Sequence, residues 1–101
     1  MPLKYESDRI FTSRMIKKKV TVVNPCGIHT RPSAMLVQAA SEYKADFHIH
    51  MYGYTINGKS ILGVMTLAAD EGSEMELEFD GPDEQEAMNR IVELFESGFN
   101  E

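Results

Sequence analysis

His29 lies in a segment whose neighbouring residues suit phosphate chemistry. The segment Gly27 to Pro32 reads Gly-Ile-His-Thr-Arg-Pro and follows a strand-like stretch that ends in turn-forming residues. Apolar residues then recur at helical spacing: Leu36, Val37, Ala40 and Tyr43. We therefore expect His29 in a strand-to-helix loop, beside unpaired backbone N–H groups and the positive end of the helix dipole.

These features favour an anion bound next to a nucleophile. The N–H groups at a helix start attract anions, and Arg31 adds a permanent positive charge on a planar set of donors. The imidazole of His29 is a titratable nucleophile, so we interpret the segment as a site that carries a phosphoryl group on this ring. The alternative is that His29 is a solvated or helix-capping residue.

The segment Gly58 to Leu67 predicts a short helix with more apolar surface than one sheet face can cover. Ser60 is a favoured N-cap type, which is by itself a sufficient reason for a serine there. One stripe can face a sheet: Val64, Leu67 and Ala68. Three apolar side chains fall partly outside it: Ile61, Leu62 and Met65. Exposed apolar patches mark docking surfaces, and the alternative is a fully buried helix.

Together the two segments resemble the HPr family, the histidine-containing phosphocarriers of the bacterial phosphoenolpyruvate-dependent phosphotransferase system. The similarity runs from about residue 17 to residue 99. The resemblance implies that enzyme I phosphorylates His29, as a pros-phosphohistidine, and that an EIIA-type domain then receives the group. It also implies that Arg31 supports the phosphate, and that Ser60 is the regulatory serine of HPr kinase/phosphorylase.

The same resemblance implies that helix two helps to form the surface that binds these partners. We expect five residues to contribute to docking: Thr30, Ile61, Leu62, Met65 and Thr66. Phosphorylation of Ser60 would place negative charge on that surface without disturbing the fold, because the helix dipole accepts an anion at its start.

The resemblance leaves the branch of the system open. The ends of the last helix, 81–87 and 94–99, are more similar to the nitrogen-branch carrier NPr, whereas 58–67 is similar to kinase-regulated HPr. The protein therefore serves either sugar transport or a regulatory branch that acts on transcription factors or kinases. A pure docking protein is a further alternative, although it would not need His29.

The length and composition of the chain predict one small domain. With 101 residues and 43% hydrophobic content, the chain supports a single core. The net charge of −6 argues against a nucleic-acid partner, and one cysteine excludes an internal disulfide. We interpret His48 and His50 as surface imidazoles rather than metal ligands, because no third ligand has matching spacing.

The chain shows neither the roughly 20 apolar residues of a membrane span nor the apolar core of a signal peptide. We expect a cytoplasmic monomer that does not insert into the membrane and needs no metal or organic cofactor.

The hydrophobic pattern predicts an α+β fold with the order β-α-β-β-α-β-α. Strands are expected over 19–23, 46–51, 54–56 and 74–79, with helices over 32–43, from residue 60, and after 81–83. Each strand buries one face, which favours an open-faced sandwich of a four-stranded antiparallel sheet with three helices on one side. Residues 1–15 show no sustained period and are predicted to be an N-terminal extension to a 16–101 phosphocarrier domain.

Overall fold

The computed structural model describes residues 14–101, and the expected element order is confirmed there. In chain order the elements are β1 (Ile16–Thr21), α1 (Thr30–Ala40), β2 (Asp46–Met51), β3 (Tyr54–Asn57), α2 (Ile61–Thr66), β4 (Glu74–Asp80) and α3 (Glu84–Glu96). A single 3-10 turn, Gly98–Asn100, follows α3. The greater part of the predicted extension, residues 1–13, lies outside the described residues.

The four strands form one antiparallel sheet in the order β1-β4-β2-β3. The two central strands, β2 and β4, pair Phe47 with Phe79 and Ile49 with Leu77. The two phenylalanine rings stack with centroids 4.7 Å apart. These four side chains are buried and form the centre of the inner sheet face.

The helices cover that inner face and leave the other face of the sheet open. Leu36 of α1, Val64 of α2 and Ile91 of α3 are fully buried in the same core as the inner strand residues. On the opposite face, His48 and His50 of β2 alternate with the buried positions. The predicted open-faced sandwich is therefore confirmed.

The largest differences from the sequence prediction are at the ends of β1 and α1. β1 begins at Ile16 rather than at Lys19, because Lys17 and Lys19 lie opposite Glu78 and Glu76 of β4. Such cross-strand pairs of opposite charge stabilise a sheet without an apolar pattern to reveal them.

α1 runs over Thr30–Ala40 rather than over residues 32–43. Pro32 lies within its first turn, where the missing N–H is not needed. At the other end, the N–H of Tyr43 bonds to the carbonyl of Ala40, so the chain turns away before the predicted end.

Asp83 connects the start of α3 to the loop before β2. Its carboxylate accepts hydrogen bonds from the backbone N–H groups of Lys44 and Ala45, both at 2.8 Å. Burial alone would raise the pKa of Asp83, but these hydrogen bonds, aided by the charge of Lys59, hold the pKa below its ordinary value of 3.8. Asp83 therefore stabilises the fold as an anion.

The described helices are short. The longest, α3, has 13 residues, whereas about 20 are needed to cross a bilayer. Within residues 14–101 none of the helices could serve as a membrane span.

Candidate functional site

His29 is the N-cap residue of α1, directly at the start of the helix that the sequence predicted to follow it. Its backbone is extended, with φ −93° and ψ −162°, and its carbonyl accepts the N–H of Ser33 at 2.9 Å. The imidazole makes no capping hydrogen bond, and 44% of the side chain is exposed. The ring is therefore accessible to another protein while the backbone at its base is fixed by the helix.

The loop before His29 is bound to the chain that follows α2. Gly27 has φ +74°, and a Cβ there would lie 2.3 Å from the carbonyl oxygen of Ala69. The N–H of Ile28 donates to that same oxygen at 2.8 Å. Only a glycine allows this close approach in a left-handed conformation, so Gly27 sets how near α2 lies to His29.

His29 and α2 border one shallow cleft of about 280 Å³. Thr30 and Met65, two of the predicted docking residues, line it together with His29. Asp70, which the sequence analysis did not single out, also lines the cleft. The structure thus brings the start of α1 and the exposed side of α2 to the same surface.

The first turn of α1 presents donors beside the imidazole. The N–H groups of Thr30 and Arg31 have no acceptor within the helix, and Pro32 has no N–H. Arg31 is exposed, and its guanidinium makes neither a hydrogen bond nor an ion pair to any of residues 14–101. These groups are available to an anion at the helix start.

A carboxylate that the sequence analysis missed contacts the imidazole directly. Glu101 Oε2 lies 3.0 Å from His29 Nε2. The other oxygen, Oε1, accepts a hydrogen bond from Asn24 Nδ2 at 3.0 Å, and Asn24 Nδ2 also donates to the carbonyl of Gly27 at 2.7 Å. Asn24 and Glu101 are 77 residues apart, so no local pattern could have revealed the contact.

Ser60 is the N-cap of α2, and its Oγ accepts the N–H of Gly63 at 3.1 Å. The hydroxyl therefore has a structural role in the protein as it stands. Its side chain is half-buried, next to the exposed residues that open the helix. The predicted N-cap is confirmed.

The exposed side of α2 agrees with the sequence analysis in all but one residue. Leu62 is 74% exposed, Met65 41% and Ile61 39%, whereas Val64 and Leu67 are buried. Thr30 and Thr66, the remaining predicted docking residues, are both exposed. The prediction that Ala68 belongs to the buried stripe was wrong. It is exposed with φ +49°, because the chain leaves the helix there.

The other two histidines lie on the outer face of the sheet, apart from the start of α1. His50 contacts Glu78 Oε1 and Thr55 Oγ1, each at 2.8 Å. Across residues 14–101 no three potential ligands cluster as a metal site would require.

Comparison with known proteins relates this arrangement to phosphocarriers. Residues 16–97 match the PTS-HPr family, described as "PTS HPr component phosphorylation site". The phosphocarrier protein HPr of Treponema pallidum is 45% identical over 87 residues, covering 86% of this chain and 99% of that protein. The HPr of Xylella fastidiosa strain Temecula1 is 42% identical over 87 residues, covering 86% and 98%. The crystal structure of HPr-C-His from Thermoanaerobacter tengcongensis matches with a TM-score of 0.83 at 36% identity, covering 86% and 98%.

Proposed function

Because the chain belongs to the HPr family of phosphotransferase-system phosphocarriers, we propose that His29 receives a phosphoryl group and passes it to a second protein. The donor is a phosphohistidine of enzyme I, and the acceptor is a histidine of an EIIA-type domain. The observation that carries this proposal is the imidazole of His29 at the N-cap of α1, which is half-exposed and makes no capping hydrogen bond.

The transfer needs a neutral imidazole and nearby hydrogen-bond donors or positive charge that stabilise the negatively charged phosphoryl oxygens. A ring nitrogen of His29 attacks phosphorus, a new N–P bond forms, and the donor's N–P bond breaks with its electron pair returning to the donor ring. The free N–H groups of Thr30 and Arg31 and the Arg31 guanidinium stabilise the negative oxygens during transfer. Since both donor and acceptor are histidines, the step is reversible and near-balanced.

Partners dock on the exposed side of α2 and the adjoining start of α1. Ile61, Leu62 and Met65 provide apolar area, and Met65 also lines the cleft of His29. A partner seated there excludes water from the reacting atoms, which strengthens the electrostatic contacts. The protein acts in this way as a carrier in the cytoplasm, and not as an enzyme with its own turnover.

Phosphorylation of Ser60 by an HPr kinase/phosphorylase regulates the same surface. A phosphate on the Ser60 hydroxyl adds up to two negative charges at the start of α2, immediately before Ile61 and Leu62. A partner that buries those side chains then has to desolvate a charge, so docking weakens while the fold stays intact.

Incubation with enzyme I and phosphoenolpyruvate tests the proposal. Intact-mass measurement should show the gain of one phosphoryl group that is lost in acid and kept in alkali, and added EIIA should remove it. His29→Ala should fold normally and gain nothing, while the control His48→Ala, on the outer sheet face, should behave as the wild type. An acid-labile adduct on His29→Ala would show that another residue is the carrier.

A further inference from the structure

We propose that Asp70 raises the phosphoryl-transfer potential of His29, so that the chain gives up the group it carries more readily. The inference rests on the proposed phosphocarrier function. Both residues line the same cleft of about 280 Å³, together with Thr30 at the start of α1. A phosphoryl group on His29 brings up to two negative charges to this cleft, and an aspartate carboxylate is negative at neutral pH. The two repel each other, and this repulsion exists only in the phosphorylated chain.

The backbone holds Asp70 against the loop before α1. The N–H of Ile28 donates to the carbonyl of Ala69 at 2.8 Å, and a Cβ on Gly27 would lie 3.0 Å from the Cα of Asp70. On the other side, the Asp70 N–H donates to Ser73 Oγ at 3.1 Å, and its carbonyl accepts the N–H of Ser73 at 3.0 Å. The backbone of Asp70 is therefore fixed beside the cleft from both directions.

The charge of Asp70 is not neutralised within the described part of the chain. Its side chain is exposed, and among residues 14–101 its carboxylate has neither a hydrogen-bond nor an ion-pair partner. Glu101, the other carboxylate near the ring, differs because one of its oxygens accepts a hydrogen bond from Asn24. Arg31 brings positive charge to the start of α1 but forms no ion pair with Asp70. The Asp70 carboxylate is therefore free to act on a phosphoryl group in the cleft.

Repulsion in the phosphorylated chain shifts the equilibrium of transfer. When the group moves between two histidines, one N–P bond breaks with its electron pair returning to the donor ring, and an equivalent N–P bond forms on the acceptor. Since the bonds balance, the position of equilibrium depends on the surroundings of each phosphohistidine. Asp70 raises the free energy of the phosphorylated chain and leaves that of the unphosphorylated chain unchanged. The group is held less tightly, which favours its onward transfer.

A docking role for the same carboxylate predicts a different result. If Asp70 contacted a positively charged side chain of a partner, its removal would weaken the complex and slow transfer in both directions equally. The equilibrium between the separated proteins would stay the same, because it depends only on their free energies when apart. The equilibrium constant therefore distinguishes the two roles, whereas a rate does not.

Competition between two forms of the protein measures this equilibrium. Wild-type chain labelled with ¹⁵N is mixed with unlabelled Asp70→Asn, a limiting amount of phosphoenolpyruvate and a catalytic amount of enzyme I, which passes the group between them. Intact mass at alkaline pH then gives the phosphorylated fraction of each form. At an ionic strength of about 0.1 M, Asp70→Asn should be favoured over the wild type by about two- to fivefold, and at about 1 M the preference should shrink.

Two further variants separate the charge of Asp70 from its shape. Asp70→Lys reverses the charge, so its preference over the wild type should be about the square of that of Asp70→Asn, roughly four- to 25-fold. Glu42→Gln makes the same charge change as Asp70→Asn at an exposed position beyond the far end of α1. That helix is about 16 Å long at 1.5 Å per residue, so salt screens Glu42 from His29. Glu42→Gln should share the group equally with the wild type.

Equal sharing between Asp70→Asn and the wild type overturns the proposal, and a slower rate of transfer beside it would mark a docking contact instead. A preference that salt does not reduce, or that Asp70→Lys does not increase, also overturns it, because charge would not be the cause. Failure of the underlying function looks different, since the wild-type chain itself would then gain no phosphoryl group from enzyme I.

Discussion

At the scale of single residues, Arg31 brings a permanent positive charge to the second position of α1, next to His29. Its side chain is exposed and makes no contact on which the fold depends. A charge-assisted hydrogen bond is worth about 1.5–3 kcal/mol, or roughly 10- to 150-fold in rate. We predict that Arg31→Ala slows phosphoryl transfer from enzyme I within that range, measured by rapid quench, while thermal unfolding is unchanged.

Arg31→Lys is the matched control for this prediction. It keeps the charge and loses the planar fork that contacts two phosphoryl oxygens at once, so its rate should lie between those of the wild type and Arg31→Ala. A rate equal to the wild type for Arg31→Ala would remove Arg31 from the site. Equal defects in both variants would show that geometry matters and charge alone does not help.

The sequence could single out residues of the candidate site only where a local pattern marks them. His29 and Arg31 stand out in the sequence because a nucleophile, a cation and a helix start occur within a few positions of one another, and they remain predictions. Asn24 and Glu101 were missed, since their contact depends on how the chain end after α3 packs beside the loop before α1. Neither residue type signals that contact by itself.

At the scale of elements, α2 is a helix of six residues with one buried stripe and one exposed apolar side. Ser60→Asp adds a negative charge at its N-cap, where the dipole accepts it, so the unfolding temperature should hold or rise slightly. Transfer from enzyme I should nevertheless slow, and high salt should lessen the defect. Ile61→Glu should slow transfer in the same way without changing the cap.

Met15→Glu provides the control for the charge on α2. Met15 is 45% exposed, similar to Ile61, but it precedes β1 at the sheet edge opposite β3, the strand that α2 contacts. This variant should accept phosphate at the wild-type rate. Wild-type rates for both α2 variants would mean that α2 is not the docking surface.

The contact between Asp83 and the loop before β2 predicts a particular pH dependence of stability. The pKa of Asp83 is lowered in the fold, so its contribution is fully present above 3.8 and is lost as the pH falls through the lower folded value. At neutral pH, Asp83→Asn should be less stable than the wild type by about 0.5–1 kcal/mol in urea unfolding, because solvent screens this partly exposed carboxylate and the Asn oxygen still accepts one hydrogen bond.

That deficit should shrink in acid, because the wild-type carboxyl becomes neutral as well. Glu86→Gln removes an exposed charge from the same first turn of α3 and is the control for the helix dipole. A deficit for Asp83→Asn that stays constant well below pH 3.8 would show that the charge of Asp83 is not the source of its stabilisation.

Elements were predictable where the apolar pattern alone determines them. β2 has the predicted bounds, because its buried and exposed residues alternate without interruption. β1 was predicted over 19–23 but lies at Ile16–Thr21, since its first half is held by lysines opposite glutamates of a strand far along the chain. Ala68 shows the same limit, because a left-handed residue after α2 depends on the path of the chain and not on the periodicity.

At the scale of the whole molecule, the alternation predicted an antiparallel sheet but not which strands are neighbours. β4, the last strand in chain order, lies between β1 and β2 at the centre of the sheet. The consequence is that the two edges of the sheet are β1 and β3. All buried apolar residues among 14–101 lie between Val20 and Phe99.

We predict from this arrangement that a chain beginning at Met15 folds and carries phosphate like the full chain. The described contact that it loses is the hydrogen bond from the Arg14 N–H to Glu84 Oε2, at 3.1 Å on the surface. An exposed hydrogen bond to a carboxylate, screened by solvent, contributes on the order of 1 kcal/mol, so the loss of this bond alone corresponds to about 4–8 °C in the unfolding midpoint of a domain this small. Calorimetry and the rate of phosphorylation by enzyme I measure both expectations.

A second truncation, beginning at Val22, shows where the domain starts. It removes β1 together with Val20 and the whole ladder to β4, exposing the edge of a central strand and part of the core. That chain should not fold cooperatively. α3 then loses one of the two strands that it packs against, and the edge of β4 is left without its hydrogen-bonding partner. If the chain beginning at Met15 also fails to fold or to accept phosphate, residues 1–14 belong to the working domain, and the predicted boundary at residue 16 is wrong.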